Sequence, residues 1–262
     1  GDMGHYYGNF TTTTTLNDAL GNFTSYGNIT LHGNVGLMAT SSGNGTGNWT
    51  IKRGNTLTLS ENVTVFNAQN MTMEENTTLN LGSNSTTGVN RDSDHALNYY
   101  GNITLATNAT LNVGSGTTVD GIISGDTNAR GTLNVLGNFT HDRTIGTSSI
   151  ATTTSILSLE EINISEGNTF TMSKNVTTTR MDINGTVTAE GNITAAITMG
   201  NDGILNLNTL TNASGTQAAN VTGVIQSGVI DTNQGTLSIN GTWGTSAEIG
   251  TGGRGLDAIY LG

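Results

Sequence analysis

The chain has 262 residues and a mass of 27.0 kDa, enough for one domain with a real core. Thr (49), Gly (37), Asn (34) and Ser (19) fill more than half of it, Pro and Cys are absent, and charged residues are only 10%. These values exclude a disulfide scaffold, a thiolate metal site and a cysteine nucleophile, and a net charge of −11 removes the basic footprint that nucleic-acid binding needs.

Leu, Ile, Val and Phe total 57 residues, close to the level at which chains stay disordered, so the placement of the apolar residues decides the fold. Taken in chain order, residues 1–27 include the tract Thr11 to Thr15 and are expected to form an N-terminal cap or a strand donated to a neighbour. From residue 28 to 262 apolar residues alternate with small polar ones in short runs, the period of a strand with one buried face. Leu57-Thr-Leu59, Leu79-Asn-Leu81, Leu111-Asn-Val113, Leu133-Asn-Val135, Leu157-Ser-Leu159, Met181-Asp-Ile183, Leu205-Asn-Leu207 and Leu237-Ser-Ile239 share one pattern. Their first residues are separated by 22, 32, 22, 24, 24, 24 and 32 positions. That spacing predicts a solenoid with coils of 22–24 residues and two inserted loops of about ten.

Second runs lie upstream (Trp49-Thr-Ile51, Met71-Thr-Met73, Ile103-Thr-Leu105, Phe170-Thr-Met172) and third runs downstream (Val63-Thr-Val65, Phe139-Thr140, Val187-Thr188). Two or three strands per turn with Gly-Asn corners and no helical spacing predict an all-β fold, a right-handed parallel β-helix. The composition follows: apolar residues point inward, Asn and Thr outward, and Gly and Asn supply positive φ at corners. Proline would delete a ladder donor wherever a strand is paired on both sides. No apolar run approaches the 18–20 or so residues of a membrane helix. Gly1 to Tyr7 has neither the basic nor the apolar region of a secretion signal, so any such signal is expected to have been removed.

Chemistry-bearing residues gather in the first insertion, Arg91-Asp92-Ser93-Asp94-His95 with Tyr99-Tyr100. Asp92 and Asp94 are candidate Ca²⁺ ligands, whereas Arg91, His95, Tyr99 and Tyr100 suit an interaction loop. A second calcium candidate is Asp257, because Gly252 to Tyr260 fits one copy of the calcium β-roll nonapeptide. The bland alternatives are a solvated loop and a Gly-rich corner leading into a last strand. The pairs Glu74-Glu75 and Glu160-Glu161 are expected to point to opposite faces of a strand, which prevents either pair from flanking one glycosidic bond, or to lie at solvated corners. His141-Asp142-Arg143 reads as a surface triplet. Otherwise no cofactor is implied, and with no acidic cluster one period away a catalytic site is not expected.

Sequons Asn-x-Ser/Thr occur nineteen times, about twice the number expected from composition. Asn28, Asn48, Asn62, Asn102, Asn138 and Asn192 are candidate N-glycosylation sites. Alternation alone also places Asn and Thr two apart on an outer face, which creates sequons without any glycan.

Segments such as Gly131-Thr-Leu-Asn-Val-Leu-Gly-Asn-Phe-Thr140, and Gln234-Gly-Thr-Leu-Ser-Ile-Asn-Gly-Thr-Trp243 running on to Ile259, resemble the passenger repeats of autotransporter surface proteins of the rickettsial outer-membrane antigen type. The likeness spans residues 28–262, without the C-terminal membrane barrel of that family. It implies a secreted, extracellular, non-enzymatic cell-surface β-helix acting as adhesin, stalk or coat, with a host receptor, a glycan or a sister cell as partner. Two alternatives stand beside it. One is a subunit of a self-assembling filament or surface layer whose partner is its own copy, joined end to end or by strand donation. The other is a β-helical polysaccharide-active enzyme.

Overall fold

The computed structural model describes residues 3–6, 10–12, 16–20, 22–37, 47–66, 68–89, 101–150, 153–212, 215–243 and 246–262. Strand after strand pairs in parallel with its counterpart one coil away, giving a parallel β-helix. Three faces can be followed. Face A holds six strands from Met3–Tyr6 to Ile123–Gly125, and single bridges Ile123 to Ile145 to Val176 carry it onward. Face B is one sheet of eleven strands, from Phe10–Thr12 to Ser246–Ile249. Face C is a five-stranded sheet ending at Thr118–Val119, succeeded by a six-stranded sheet from Phe139–His141 to Ala258–Leu261. The N-terminal strands lie on the same faces. Met3–Tyr6 pairs with Asn22–Ser25, Phe10–Thr12 with Ile29–Leu31, and Leu16–Leu20 with Val35–Leu37.

The alternation works as the sequence predicts. In Thr56–Leu59, Thr78–Leu81, Thr110–Val113 and Thr132–Val135, Thr and Asn (Thr58 in the first) face out, while the Leu and Val positions are buried. Leu57, Leu79, Leu111 and Leu133 stack in register, each 0% exposed. Each such side chain contributes about 1.5–3 kcal/mol by leaving water. Aromatic residues stack along the axis too: Phe23 meets Trp49 edge-on with centroids 5.2 Å apart, and Phe139 lies nearly parallel to Phe170 at 5.8 Å.

Coil length is less regular than predicted. Along face B the register runs Leu111, Leu133, Ile162, Met181, Ile197, Ile225, so successive coils have 22, 29, 19, 16 and 28 residues. The inferred spacing of 24 arises from mixing faces. Leu205 and Leu237 belong to face C, whereas Met181 belongs to face B, and the rung above Leu133 is Ile162 rather than Leu157. The same apolar-x-apolar pattern serves every face, so spacing alone does not distinguish them. The second predicted insertion contains an antiparallel hairpin, Thr209–Asn212 with Gly215–Ala218. Another hairpin, Thr147–Ile150 with Thr153–Ile156, was not anticipated.

Asparagine has two structural duties. At corners it takes the left-handed conformation in stacked columns: Asn62 (φ 61°) lies beside Asn84 (φ 58°), and Asn84 beside Gly116 (φ 72°), joined by Asn62 N–H to Ser83 O and Asn84 N–H to Ser115 O. Just before strands it caps the next coil. The Oδ1 of Asn28 accepts the N–H of Thr56 (2.8 Å), that of Asn102 the N–H of Ile122 (2.9 Å), that of Asn138 the N–H of Thr169 (2.9 Å) and that of Asn192 the N–H of Asn220 (3.0 Å). Asn48 donates its own N–H to Asn22 Oδ1 (3.0 Å). All six sequon asparagines singled out above thus hydrogen-bond to a neighbouring coil through side chain or backbone, and one of them, Asn62, also shapes a corner.

His141 corrects an expectation. It occupies an inward position of Phe139–His141, 1% exposed, with its ring stacked on Phe139 at 5.7 Å, while Asp142 beside it is exposed. Its nitrogens reach toward the backbone of Val119 and Thr144 without closing a full hydrogen bond. Burial lowers its pKa from 6.5 to about 4; the Asp142 charge opposes the shift and Arg143 adds to it. A depressed imidazole pKa contributes stability that is complete above pH 6.5 and is lost as pH falls toward 4, on the order of 3 kcal/mol across the full shift. Chemical denaturation of His141→Phe at pH 7 and pH 4.5 should show a markedly smaller acid loss of stability than the parent protein, and an equal loss in both would refute the assignment.

Candidate functional site

Outward-facing polarity on this rod is mostly uncharged. On face B the carboxamides of Asn80, Asn112 and Asn134 hydrogen-bond rung to rung at 2.9 Å, and Asn80 Nδ2 donates to Thr58 Oγ1 at 3.2 Å. On face A Asn102 donates to Asn70 Oδ1 (3.3 Å) and Asn70 to Asn48 Oδ1 (3.5 Å). Such ladders follow from register: a residue type repeated at one outward position meets itself on the next coil.

Among the described residues, ion pairs gather in two places. At the corner leaving face A, Lys52 pairs with Glu74 (3.2 Å) and Arg53 with Glu75, while Asp126 and Arg130 lie 4.0 Å apart. Glu74 and Glu75 therefore lie at a solvated corner with a basic partner each. Between them and Asp126, on the intervening coil, the column carries Ala106, and the missing length leaves an open groove of about 310 Å³ with Thr72 and Thr104 on its wall.

The second concentration is on face B. The strand Leu159–Ile164 bends at its start, so Glu160 and Glu161 both face outward, correcting the expectation that they take opposite faces. Arg180, on the next coil, reaches both: Nη2 is 3.3 Å from Glu161 and Nη1 3.9 Å from Glu160. Asp182 follows on the same strand, and its carboxyl hydrogen-bonds with that of Glu161. The Asn163 amide is satisfied when its nitrogen donates to Asp182 Oδ2 and Glu161 Oε1, 3.2 Å each, with its oxygen toward the Asn134 carboxamide at 2.9 Å. Partial burial raises the Asp182 pKa above its ordinary value, helped by the Glu161 hydrogen bond and charge and opposed by Arg180.

Sequence reasoning found no acids on neighbouring rungs because Asp182 is 21 positions from Glu161 and lies in a coil of only 19 residues, as the register of Ile162 on Met181 shows. Although the two carboxyls now share one site, they touch each other. A pair flanking a glycosidic bond stands about 5–9.5 Å apart.

Beside Asp182, at the corner from face B to face C, lies a second groove of about 350 Å³ lined by Asp182, Asn184, Thr198, Asn201, Val229 and Gln234. Its far rim is held by Arg254, whose Nη1 donates to Ser227 O (3.3 Å) and Gly228 O (3.1 Å). Arg254 belongs to the predicted nonapeptide, which forms a short 3-10 turn at Thr251–Gly253 and then the strand Ala258–Leu261. Asp257 is exposed there, its N–H donating to Gly235 O at 2.9 Å. Among the described residues no group of three His, Asp or Glu is placed to hold a metal ion. Arg91, Asp92, Asp94, His95, Tyr99 and Tyr100 lie outside the described residues.

No family model matches the chain, and no curated protein or solved structure matches it.

Raised in the folded state, Asp182 favours the fold while protonated, a contribution complete below its ordinary pKa and lost as pH rises through the folded value. Asp182→Asn should therefore match or exceed the parent in melting temperature at pH 7, by under about 1 kcal/mol for so solvated a pair, and should lose that advantage near pH 3. A drop at pH 7 would overturn the shared-proton assignment.

Proposed function

We propose that this protein is a non-enzymatic, extracellular structural or adhesive rod of the cell-surface passenger type. One observation carries the proposal: outward positions on a parallel β-helix are filled with Thr and Asn in rung-to-rung ladders, while among the described residues the ion pairs gather in two small clusters. A surface of hydroxyls and carboxamides adheres through many weak, short-range hydrogen bonds rather than through long-range attraction. Binding of this kind is insensitive to salt. Protein-coated beads should hold to cell or polysaccharide surfaces with detachment forces that change less than about twofold between roughly 0.05 and 0.5 M NaCl. Adhesion that collapses with salt would assign it to the charged clusters, and no adhesion to any surface would remove the proposal.

A second function, end-to-end association with another copy, is favoured by the strand Ala258–Leu261. Ile259 and Leu261 are 48% and 80% exposed, although Leu237 and Ile239, their register partners one coil earlier, are buried at 0% and 3%. A further parallel rung would bury them whatever supplies it. Sedimentation velocity should show mass growing with concentration in the parent protein and not in Leu261→Asp. Monomers at all concentrations would exclude this association.

A further inference from the structure

The groove at the corner of faces B and C is lined by uncharged polar side chains, one carboxyl and one exposed apolar residue. It exists because two glycines stand where neighbouring coils carry side chains. A Cβ at Gly200 would lie 2.0 Å from Asn184 Oδ1, so the carboxamide rests directly over the backbone there, and a Cβ at Gly228 would come within 3.0 Å of the Thr198 methyl group. The polar side chains lining this space are those of Asp182, Asn184, Thr198, Asn201 and Gln234. The three carboxamides and the hydroxyl each carry both a donor and an acceptor, and the Asp182 carboxyl accepts. Paired donors and acceptors of this type match the adjacent hydroxyls of a sugar ring, each of which donates once and accepts. Val229, 48% exposed, lines the same groove and offers an apolar contact for the C–H face of such a ring.

Charge narrows the ligand. No Lys or Arg is among the residues lining the groove, Arg254 at its rim is turned onto the Ser227 and Gly228 carbonyls, and the neighbouring Glu160, Glu161 and Asp182 carboxyls outnumber Arg180 on a chain of net charge −11. Phosphates, uronates and sialic acids would meet this negative charge while the nearby guanidiniums of Arg180 and Arg254 are engaged by carboxylates and by backbone carbonyls. At about 350 Å³ the space falls at the lower end of small-molecule sites, room for about one or two sugar rings of a longer chain that continues across the open mouth.

We infer that this groove is a binding site for a neutral glycan, held by hydrogen bonds to Asp182, Asn184, Thr198 and Gln234 with the ring's C–H face on Val229. The site supplies a specific partner for the adhesive role proposed above, and in that sense rests on it. The test is calorimetric titration of the whole protein with cellohexaose, maltohexaose and mannohexaose, with hexagalacturonate as the anionic control. One or more neutral oligomers should bind saturably while the uronate does not. Asn184→Ala and Gln234→Ala should each weaken binding about tenfold, Val229→Asp should abolish it, and Gly200→Ala should weaken it by displacing Asn184. Asn112→Ala, on the distant ladder, should leave it unchanged, and thermal melts of all variants separate lost contacts from lost fold. Binding of the uronate alone, binding by no neutral oligomer, or neutral binding indifferent to the Asn184, Gln234 and Val229 changes would overturn the site. Beads bearing the parent protein keep the two proposals apart: a parent that adheres but binds no neutral oligomer refutes the groove alone, and one that binds oligomers but adheres nowhere refutes the adhesive role alone.

Discussion

Everything in this molecule depends on register between coils. A parallel β-helix has no other way to close its core: each inward side chain must lie on the side chain one coil away, because that neighbour covers it along the axis. Leu57, Leu79, Leu111 and Leu133 meet that condition as a column of like residues, and Phe23 on Trp49 and Phe139 on Phe170 meet it with rings. The outward positions inherit the same order. A strand that keeps its inward residues aligned also aligns its outward ones, so Asn80, Asn112 and Asn134 form a ladder as a by-product of the core beneath them.

The constraint accounts for a composition near the disorder limit. About one residue in four or five needs to be apolar when all of those residues point the same way, and the remainder is free to serve corners and caps. Asparagine does both, through left-handed φ at Asn62 and Asn84 and through Oδ1 caps at Asn28, Asn102, Asn138 and Asn192. Local features of the surface and core arise where the repetition is broken. Ala106 in a column of charged residues opens one groove, and Gly200 and Gly228 open another. His141 breaks the inward pattern, leaving an ionisable ring where its stacking neighbours are Phe139 and the aliphatic core.

Legibility in the sequence differed from feature to feature for identifiable reasons. The fold class was readable at Leu57-Thr-Leu59 and its relatives, because inward and outward positions alternate within a few residues. The coil series was misjoined at Leu157 and at Leu205, because one pattern serves all faces and only pairing shows that Ile162 lies on Leu133. Glu160-Glu161 followed the rule of alternation until a bend turned both outward, and Asp182 became their neighbour only through a coil shorter than the average. His141 looked like part of a surface triplet because two charged residues follow it, yet it stands two positions after Phe139 on the inward side.

The sequence by itself determined the parallel β-helix, the inward and outward sets and the roles of Gly and Asn at corners, since these depend on neighbours within a few positions. Tertiary structure alone decided which coil lies on which and therefore what every side chain meets across 16 to 32 residues of chain. Coil length is set by how many residues each corner and hairpin takes up. No local pattern records that sum, so the Glu161, Asn163 and Asp182 cluster and the groove beside it exist only once the coils are stacked.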